Sequence, residues 1–194
     1  MRKAIIISIA IITLAGIGVG AFFLFVKPSD GNSSSDQSSL NSSGNTKVTY
    51  VPIDACDVLT EGIAKQVIGN NIQKTSASSN TITTADIVVS SCNYLTQLSP
   101  ADTSSVPKIS GASLLVRVAK TSVGAESNRA QFLIKDKEVQ TVDDLGDDAF
   151  YNPAFRQLHV LKGNNWYIIT AYKDSITNSS LDINKKLAQK LTFR

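Results

Sequence analysis

The sequence contains few of the side chains on which metal binding and nucleophilic catalysis depend. Among 194 residues there are two cysteines, Cys56 and Cys92, and a single histidine, His159. Two thiols and one imidazole make a poor ligand set for a metal ion. The chain also lacks a Gly-x-Ser-x-Gly motif or another recognisable arrangement of Ser, His and Asp around a nucleophile. We therefore predict no catalytic residues, no metal site and no cofactor.

The sequence also has little excess charge of either sign. Its formal net charge is +3, from 19 Lys and Arg against 16 Asp and Glu. Arg2, Lys3 and Lys27 supply three positive charges near the N-terminus, while residues 47–194 carry 16 bases and 14 acids. Because no strong basic field covers the body of the chain, nucleic acid is not expected as the main partner.

Charge is absent from residues 4–26, a run of 23 mainly apolar residues. As a helix rising about 1.5 Å per residue, this run reaches roughly 34 Å, enough to cross a hydrocarbon core of about 30 Å. Arg2 and Lys3 precede the run, and an excess of bases in front of it favours a cytoplasmic N-terminus. We predict that residues 1–27 form a single-pass membrane anchor, with the rest of the chain outside the cell membrane.

A cleaved signal peptide is the alternative for this segment. The small residues 19–21 have a spacing suitable for cleavage, and the protein would then be secreted. Residues 22–26 continue the apolar run past that point, which favours an uncleaved signal-anchor. Since no cysteine ends the run, attachment through a lipid-modified cysteine is excluded.

Gly16 and Gly20 form a Gly-x-x-x-Gly pair within the predicted anchor. Small residues on one helix face allow two membrane helices to approach closely, so this pair is a candidate dimer contact. The alternative is the ordinary glycine content of membrane segments.

A change of composition divides the remainder of the chain. Residues 28–46 hold eight serines and one large apolar residue, Leu40. Such a segment buries too little surface to offset its chain entropy, so we predict a disordered linker. Residues 47–194 have the size of a single extracytoplasmic domain. Its two cysteines, Cys56 and Cys92, predict one disulfide, which contributes roughly 3–4 kcal/mol in the chain-entropy model.

Apolar periodicity in this domain predicts an α+β fold, an antiparallel sheet with helices packed on it. Thr60 and Gly69 are typical of the start and the end of a helix. Leu114, Val116 and Val118 alternate with Arg117, which faces the other way. Helices are predicted at residues 61–68, 123–135 (Ala125, Ala130, Phe132 and Leu133 buried) and 181–191 (Leu187, Ala188 and Leu191 buried). Strands are predicted at residues 85–95, 113–120, 149–151, 156–161 and 166–172.

Three short motifs have a familiar arrangement. They are Asp-Ala-Cys-Asp-Val-Leu-Thr at residues 54–60, Ser-Cys-Asn-Tyr at 91–94 and Leu-Gly-Asp-Asp-Ala at 145–149. Over residues 50–192 the chain resembles small exported and lipoprotein-type domains of actinobacterial envelopes. The resemblance implies that Cys56 and Cys92 correspond to the disulfide pair of that family. It implies an envelope domain of unknown activity and carries over no catalytic residues, and the lipid-attached cysteine of many members is missing here.

Clustered acids provide one candidate binding site. Carboxylates can bind a hard cation such as calcium, but their spacing does not match an EF-hand loop. We favour a tight turn in which Gly146 has a positive φ, Val142 and Leu145 are buried and the acids are solvated. The acids concerned are Asp143, Asp144, Asp147 and Asp148.

Trp166, Tyr167 and His159 are further candidates. The two aromatic residues could line a binding groove, but apolar residues on both faces of their strand favour packing in the core. His159 could act as a general base, although we favour an exposed position on its strand. The interpretation with most support is a membrane-tethered module that binds an envelope protein, lipid or polymer. The alternative is an extracytoplasmic hydrolase acting on envelope material.

Overall fold

The computed structural model describes residues 48–74, 82–96, 108–135 and 138–194. All of them belong to one unit, Gly44–Arg194. The predicted anchor, its Gly16 and Gly20, and the predicted linker lie outside the described residues. Within the described part of the chain, no helix has both the length and the apolar character needed to cross a membrane.

In the described residues, two helices precede four strands, and a third helix separates these from four more strands and a last helix. The helices are α1 (Ala55–Val58), α2 (Glu61–Ile68), α3 (Ser122–Phe132) and α4 (Leu181–Ala188), with a 3-10 turn at Ile176–Asn178. The strands are β1 (Ile72–Lys74), β2 (Ile82–Thr83), β3 (Ile87–Thr96), β4 (Gly111–Ala119), β5 (Gln140–Thr141), β6 (Asp148–Asn152), β7 (Gln157–Lys162) and β8 (Asn165–Tyr172).

The strands form one sheet in the order β1-β3-β4-β8-β7-β6-β5, with β2 paired to β3. Every pairing is antiparallel. The predicted α+β class, an antiparallel sheet with helices packed on it, is therefore confirmed. The strands predicted at residues 156–161 and 166–172 form a hairpin, since Lys162 pairs with Asn165 around a two-residue turn in which Gly163 has φ 56°.

The main core lies on the first face of the sheet. One row across the strands joins Cys92, Leu114, Ile169 and Leu158, and all four side chains are fully buried. Helices α1, α2 and α4 cover this row with apolar residues that include Ala55, Val67 and Leu187. Full burial of each large apolar side chain contributes about 1.5–3 kcal/mol, so this face supplies most of the stability.

Local signals set the ends of α2. The Thr60 Oγ1 atom accepts a hydrogen bond from the Ile63 backbone N–H at 3.3 Å, and Gly69 ends the helix with φ 110°. Ala64 and Val67 are buried against the sheet, as their helical spacing predicts.

A disulfide joins Cys56 on α1 to Cys92 on β3, with their Cα atoms 5.0 Å apart. The predicted pairing is confirmed. Since Cys92 is fully buried at the β3 end of this row, the bond attaches the first described helix to the main core. It closes a sequence separation of 36 residues.

Helix α3 lies on the second face of the sheet, over β4, β8 and β7. There Phe132 packs with Phe150, Leu161 and Trp166 in a separate cluster, which we call the aromatic cluster. Phe132 and Phe150 meet edge to face, with ring centroids 4.9 Å apart. Of the described helices, one therefore covers this face, whereas three cover the first face.

The contact face of α3 differs from the prediction. Phe132 is buried as predicted, but Ala130 and Leu133 are exposed and Ala125 is only half-buried. The residues that face the sheet are Gly124, Asn128 and Phe132, four residues apart. Gly124 packs directly against the backbone carbonyl of Asp86, where any side chain would collide. A stripe made of a glycine, an amide and one aromatic residue carries no apolar periodicity, which is why the sequence pattern misplaced the buried face.

Candidate functional site

A cleft of about 310 Å³ opens at the end of the sheet where β7 turns into β8. Its other wall is the extended stretch that leads into α1. The lining combines apolar and polar residues: Val48, Thr49, Val51, Ile53, Ala119, Lys162, Gly163, Asn164, Asn165 and Arg194. The cleft therefore lies beside the first described residues of the domain.

Apolar side chains of the entering stretch form one side of this cleft. Val51 is 52 % exposed and the neighbouring Tyr50 is 39 % exposed, although both are apolar or aromatic. Ile53, by contrast, is buried at the base and belongs to the main core. A concave surface that combines apolar side chains with a few polar groups has the usual composition of a ligand site.

Hydrogen bonds hold the polar side of the cleft in place. The Asn165 Nδ2 atom donates to the Arg194 carbonyl at 2.9 Å, and its Oδ1 atom accepts from the Ala119 N–H at 3.3 Å. The Asn164 carbonyl accepts a bond of 2.9 Å from the Nδ2 atom of Asn128 on α3. The turn that borders the cleft is thus fixed from two sides.

The acidic residues form a turn, as we favoured. Gly146 has φ 65°, and Val142 and Leu145 are buried beneath it. Asp143 and Asp144 are exposed. Among the described residues, no group of three or more His, Cys, Asp or Glu side chains is arranged to hold a metal ion.

Asp147 and Asp148 point to different partners. The Asp147 carboxylate binds Lys162 Nζ at 2.7 Å and accepts from the Gly163 N–H at 2.6 Å. The hydrogen bond from Lys162, and then that from Gly163, holds the pKa of Asp147 below its usual value. Asp148 pairs with Lys135 at 3.4 Å. Asp147 therefore supports the turn at the cleft, while Asp148 lies beside the aromatic cluster.

Trp166 and Tyr167 lie on opposite faces of β8 and are both buried, so packing in the core is confirmed for them. The Tyr167 hydroxyl donates to the Arg194 carbonyl at 2.8 Å and accepts from the Arg194 N–H at 3.0 Å. Burial raises the pKa of Tyr167 above its usual value. Trp166 belongs to the aromatic cluster beneath α3.

The predicted exposed position of His159 is wrong, since only 8 % of the residue is accessible. Its ring stacks on Phe150, with centroids 4.6 Å apart and an interplanar angle of 8°. Trp166 Nε1 donates to His159 Nδ1 at 3.2 Å. Burial lowers the pKa of His159 from 6.5 to about 4. Strand alternation correctly separates His159 from Leu158, but the aromatic cluster buries the face that alternation assigned to solvent.

Arg117 and Asn128 form a polar contact that the sequence did not reveal. Arg117 is buried, and its Nε atom donates to Asn128 Oδ1 at 3.1 Å. Its guanidinium carbon lies 5.3 Å from the centre of the Trp166 ring. Burial lowers the pKa of Arg117. The ion pairs formed among the described residues do not include Arg117.

The candidate site residues predicted from the sequence lie in two separate regions of the domain. Asp147 supports the cleft, while Trp166 and His159 lie in the buried layer under α3. The cleft offers apolar contacts beside amide and cationic groups, which suits non-covalent recognition of a ligand that is partly apolar and partly polar.

The chain was compared with protein-family models, with curated proteins and with solved structures, and none of the three comparisons gave a match.

Proposed function

We propose that the chain is a membrane-tethered extracytoplasmic module that binds a component of the cell envelope. The Cys56–Cys92 disulfide is the observation that carries this proposal. Disulfides persist in oxidising compartments outside the cytoplasm and are rare within it. This bond ties α1 to Cys92, a fully buried residue of β3 in the main core.

The N-terminal sequence supports the same location. Residues 4–26 are long and apolar enough for one membrane crossing, and Arg2 and Lys3 favour a cytoplasmic N-terminus. The Ser-rich residues 28–46 have the composition of a linker that lets a domain search the space near the membrane. The resemblance to actinobacterial envelope domains agrees with this arrangement.

The cleft supports the binding role. It lies beside the point at which residues 28–46 lead into the domain, and it presents exposed Val51 next to polar groups of the β7–β8 turn. A cleft that combines an apolar wall with convergent amides fits recognition of a partly apolar envelope component.

Thiol labelling of the full chain in intact cells tests the location. We expect Cys56, which is half-buried, to resist a membrane-impermeant maleimide until a membrane-impermeant reductant is added. Removal of residues 4–26 should abolish retention in carbonate-washed membranes. Labelling without reductant in intact cells, or only after cell lysis, would contradict an extracytoplasmic disulfide.

Site-specific photocrosslinking of the full chain tests the cleft. A photoreactive residue at position 51 should form a discrete adduct with an envelope component. The matched control is position 123 on α3, because Val123 is 60 % exposed but lies away from the cleft lining. Equal adducts from both positions, or none from position 51, would overturn the assignment of the cleft.

A further inference from the structure

His159 is held in one protonation state by its surroundings. Because Nδ1 accepts the hydrogen bond from Trp166 Nε1, the imidazole proton of neutral His159 resides on Nε2. Nε2 is buried, and it is the one buried side-chain nitrogen or oxygen of the described residues without a hydrogen-bond partner. A buried donor without an acceptor is costly, so this ring is poorly matched to its site even when neutral.

A second proton would make the mismatch larger. It would have to occupy Nδ1, where the Trp166 N–H already points, and two donors cannot share that position. The imidazolium would also have little access to water, because only 8 % of His159 is exposed. The surroundings of His159 therefore stabilise the neutral imidazole relative to the charged imidazolium.

The charged groups around His159 do not compensate for such a proton. From β4, the Arg117 guanidinium lies over Trp166. Beyond α3, the Lys135 ammonium lies 4.9 Å from the centre of the Phe150 ring and 5.0 Å from that of Phe132. From β6, the Asp148 carboxylate is paired with Lys135. Protonation of His159 would add a third cation to Arg117 and Lys135, while the Asp148 carboxylate is already paired with Lys135.

We propose that His159 is an acid switch for α3: uptake of one proton by its imidazole breaks the Trp166 contact and releases α3 from the sheet. The switch acts on the second face of the sheet and does not depend on the tether or on the cleft. Its consequence is the exposure of the aromatic cluster in an acidic medium.

Helix α3 is the element that such a proton would release. It touches the sheet through Gly124, Asn128 and Phe132, and Asn128 is fixed to Arg117 and to the Asn164 carbonyl. The first face, by contrast, is covered by three helices and contains the disulfide. Elements with few buried apolar contacts open at lower free energy than the rest of a domain.

Hydrogen exchange of the full chain in detergent micelles tests the switch. Exchange of α3 amides, corrected for intrinsic rates, is compared with exchange of α2 amides between pH 7.5 and pH 5. With the His159 pKa at about 4 in the closed domain and about 6.5 in the open form, opening of α3 should rise about 30-fold over this interval. Amides of α2 that exchange only when the whole domain unfolds report its global stability, so α3 should exchange faster than α2 at both pH values. The emission of Trp166, the sole tryptophan, should shift to longer wavelength in parallel.

The variant His159→Gln provides the control, because glutamine can accept from Trp166 Nε1 but does not titrate. We expect the acid response of α3 to disappear in this variant while the carboxylates titrate as before. An equal response in both proteins, no response in the wild type, or α3 amides that exchange no faster than those of α2 at pH 5 would overturn the proposal.

If His159→Gln does not fold, NMR titration of the single imidazole in the wild type decides the question. An apparent pKa below about 6, together with α3 amides that exchange faster than those of α2 at pH 5, supports the switch. A pKa at or above about 6, or α3 exchange no faster than that of α2, overturns it.

Discussion

The ring of Tyr172 lies over Gly111 on the adjacent strand. The two residues are paired between β8 and β4, and a Cβ atom on Gly111 would lie 2.5 Å from the Tyr172 ring. Burial in this position raises the pKa of Tyr172 above its usual value. The absence of a side chain at position 111 is therefore what allows Tyr172 to pack flat against the sheet.

Substitution Gly111→Ala should destabilise the domain by about 1–3 kcal/mol, because the added methyl group displaces the Tyr172 ring. The matched control is Gly62→Ala on α2, where the nearest atom would be 3.9 Å from the new Cβ. That change should instead stabilise by about 0.4–1 kcal/mol, since alanine favours the helix. Urea unfolding of both variants measures the difference, and equal destabilisation would contradict the close packing.

Replacement of both Cys56 and Cys92 by serine should lower the free energy of unfolding by about 3–4 kcal/mol, because the unfolded chain loses its cross-link. Reductant should lower the stability of the wild type by a similar amount and leave the double variant unchanged. Thermal melts with and without reductant measure both effects. A wild type that is insensitive to reductant under unfolding conditions would show that the bond does not stabilise the domain.

The stability of the domain should fall as the medium is acidified from pH 6.5 to pH 4. The folded state lowers the pKa of His159 from 6.5 to about 4, so it binds this proton less readily than the unfolded state. The neutral imidazole therefore makes its full contribution to the free energy of unfolding above pH 6.5. This contribution, about 3 kcal/mol, is lost once the pH has fallen below 4. Urea midpoints of wild type and His159→Gln across this range measure the effect, and parallel curves would contradict it.

Asn128→Ala should cost about 2–3 kcal/mol, because the buried Arg117 loses its acceptor and the Asn164 carbonyl loses its donor. The control is Glu126→Ala on the exposed side of α3, expected to change stability by less than about 0.5 kcal/mol. Hydrogen exchange should show the Asn128 effect first in α3 and in the β7–β8 turn. A loss spread evenly over the domain would argue against Asn128 as the specific link between these elements.

Local signals explain which elements could be predicted. The Thr60 cap and Gly69 act within one helix, and the turn at Gly163 acts within one hairpin, so neither depends on distant contacts. The disulfide was also predictable, because Cys56 and Cys92 are the sole thiols. The cleft was not, since residues 48–53 and the β7–β8 turn are far apart in the chain and each is unremarkable alone.

The sequence by itself determined the alternation of β4 and β7, which directs Leu114 and Leu158 to one face and Arg117 and His159 to the other. Tertiary structure alone decided that the second face is also buried. Alternation specifies a direction but not what lies in that direction, and α3 covers the second face with Gly124, Asn128 and Phe132 rather than with an apolar stripe. Arg117 and His159 thus became an enclosed polar layer through a helix whose own pattern gave no sign of it.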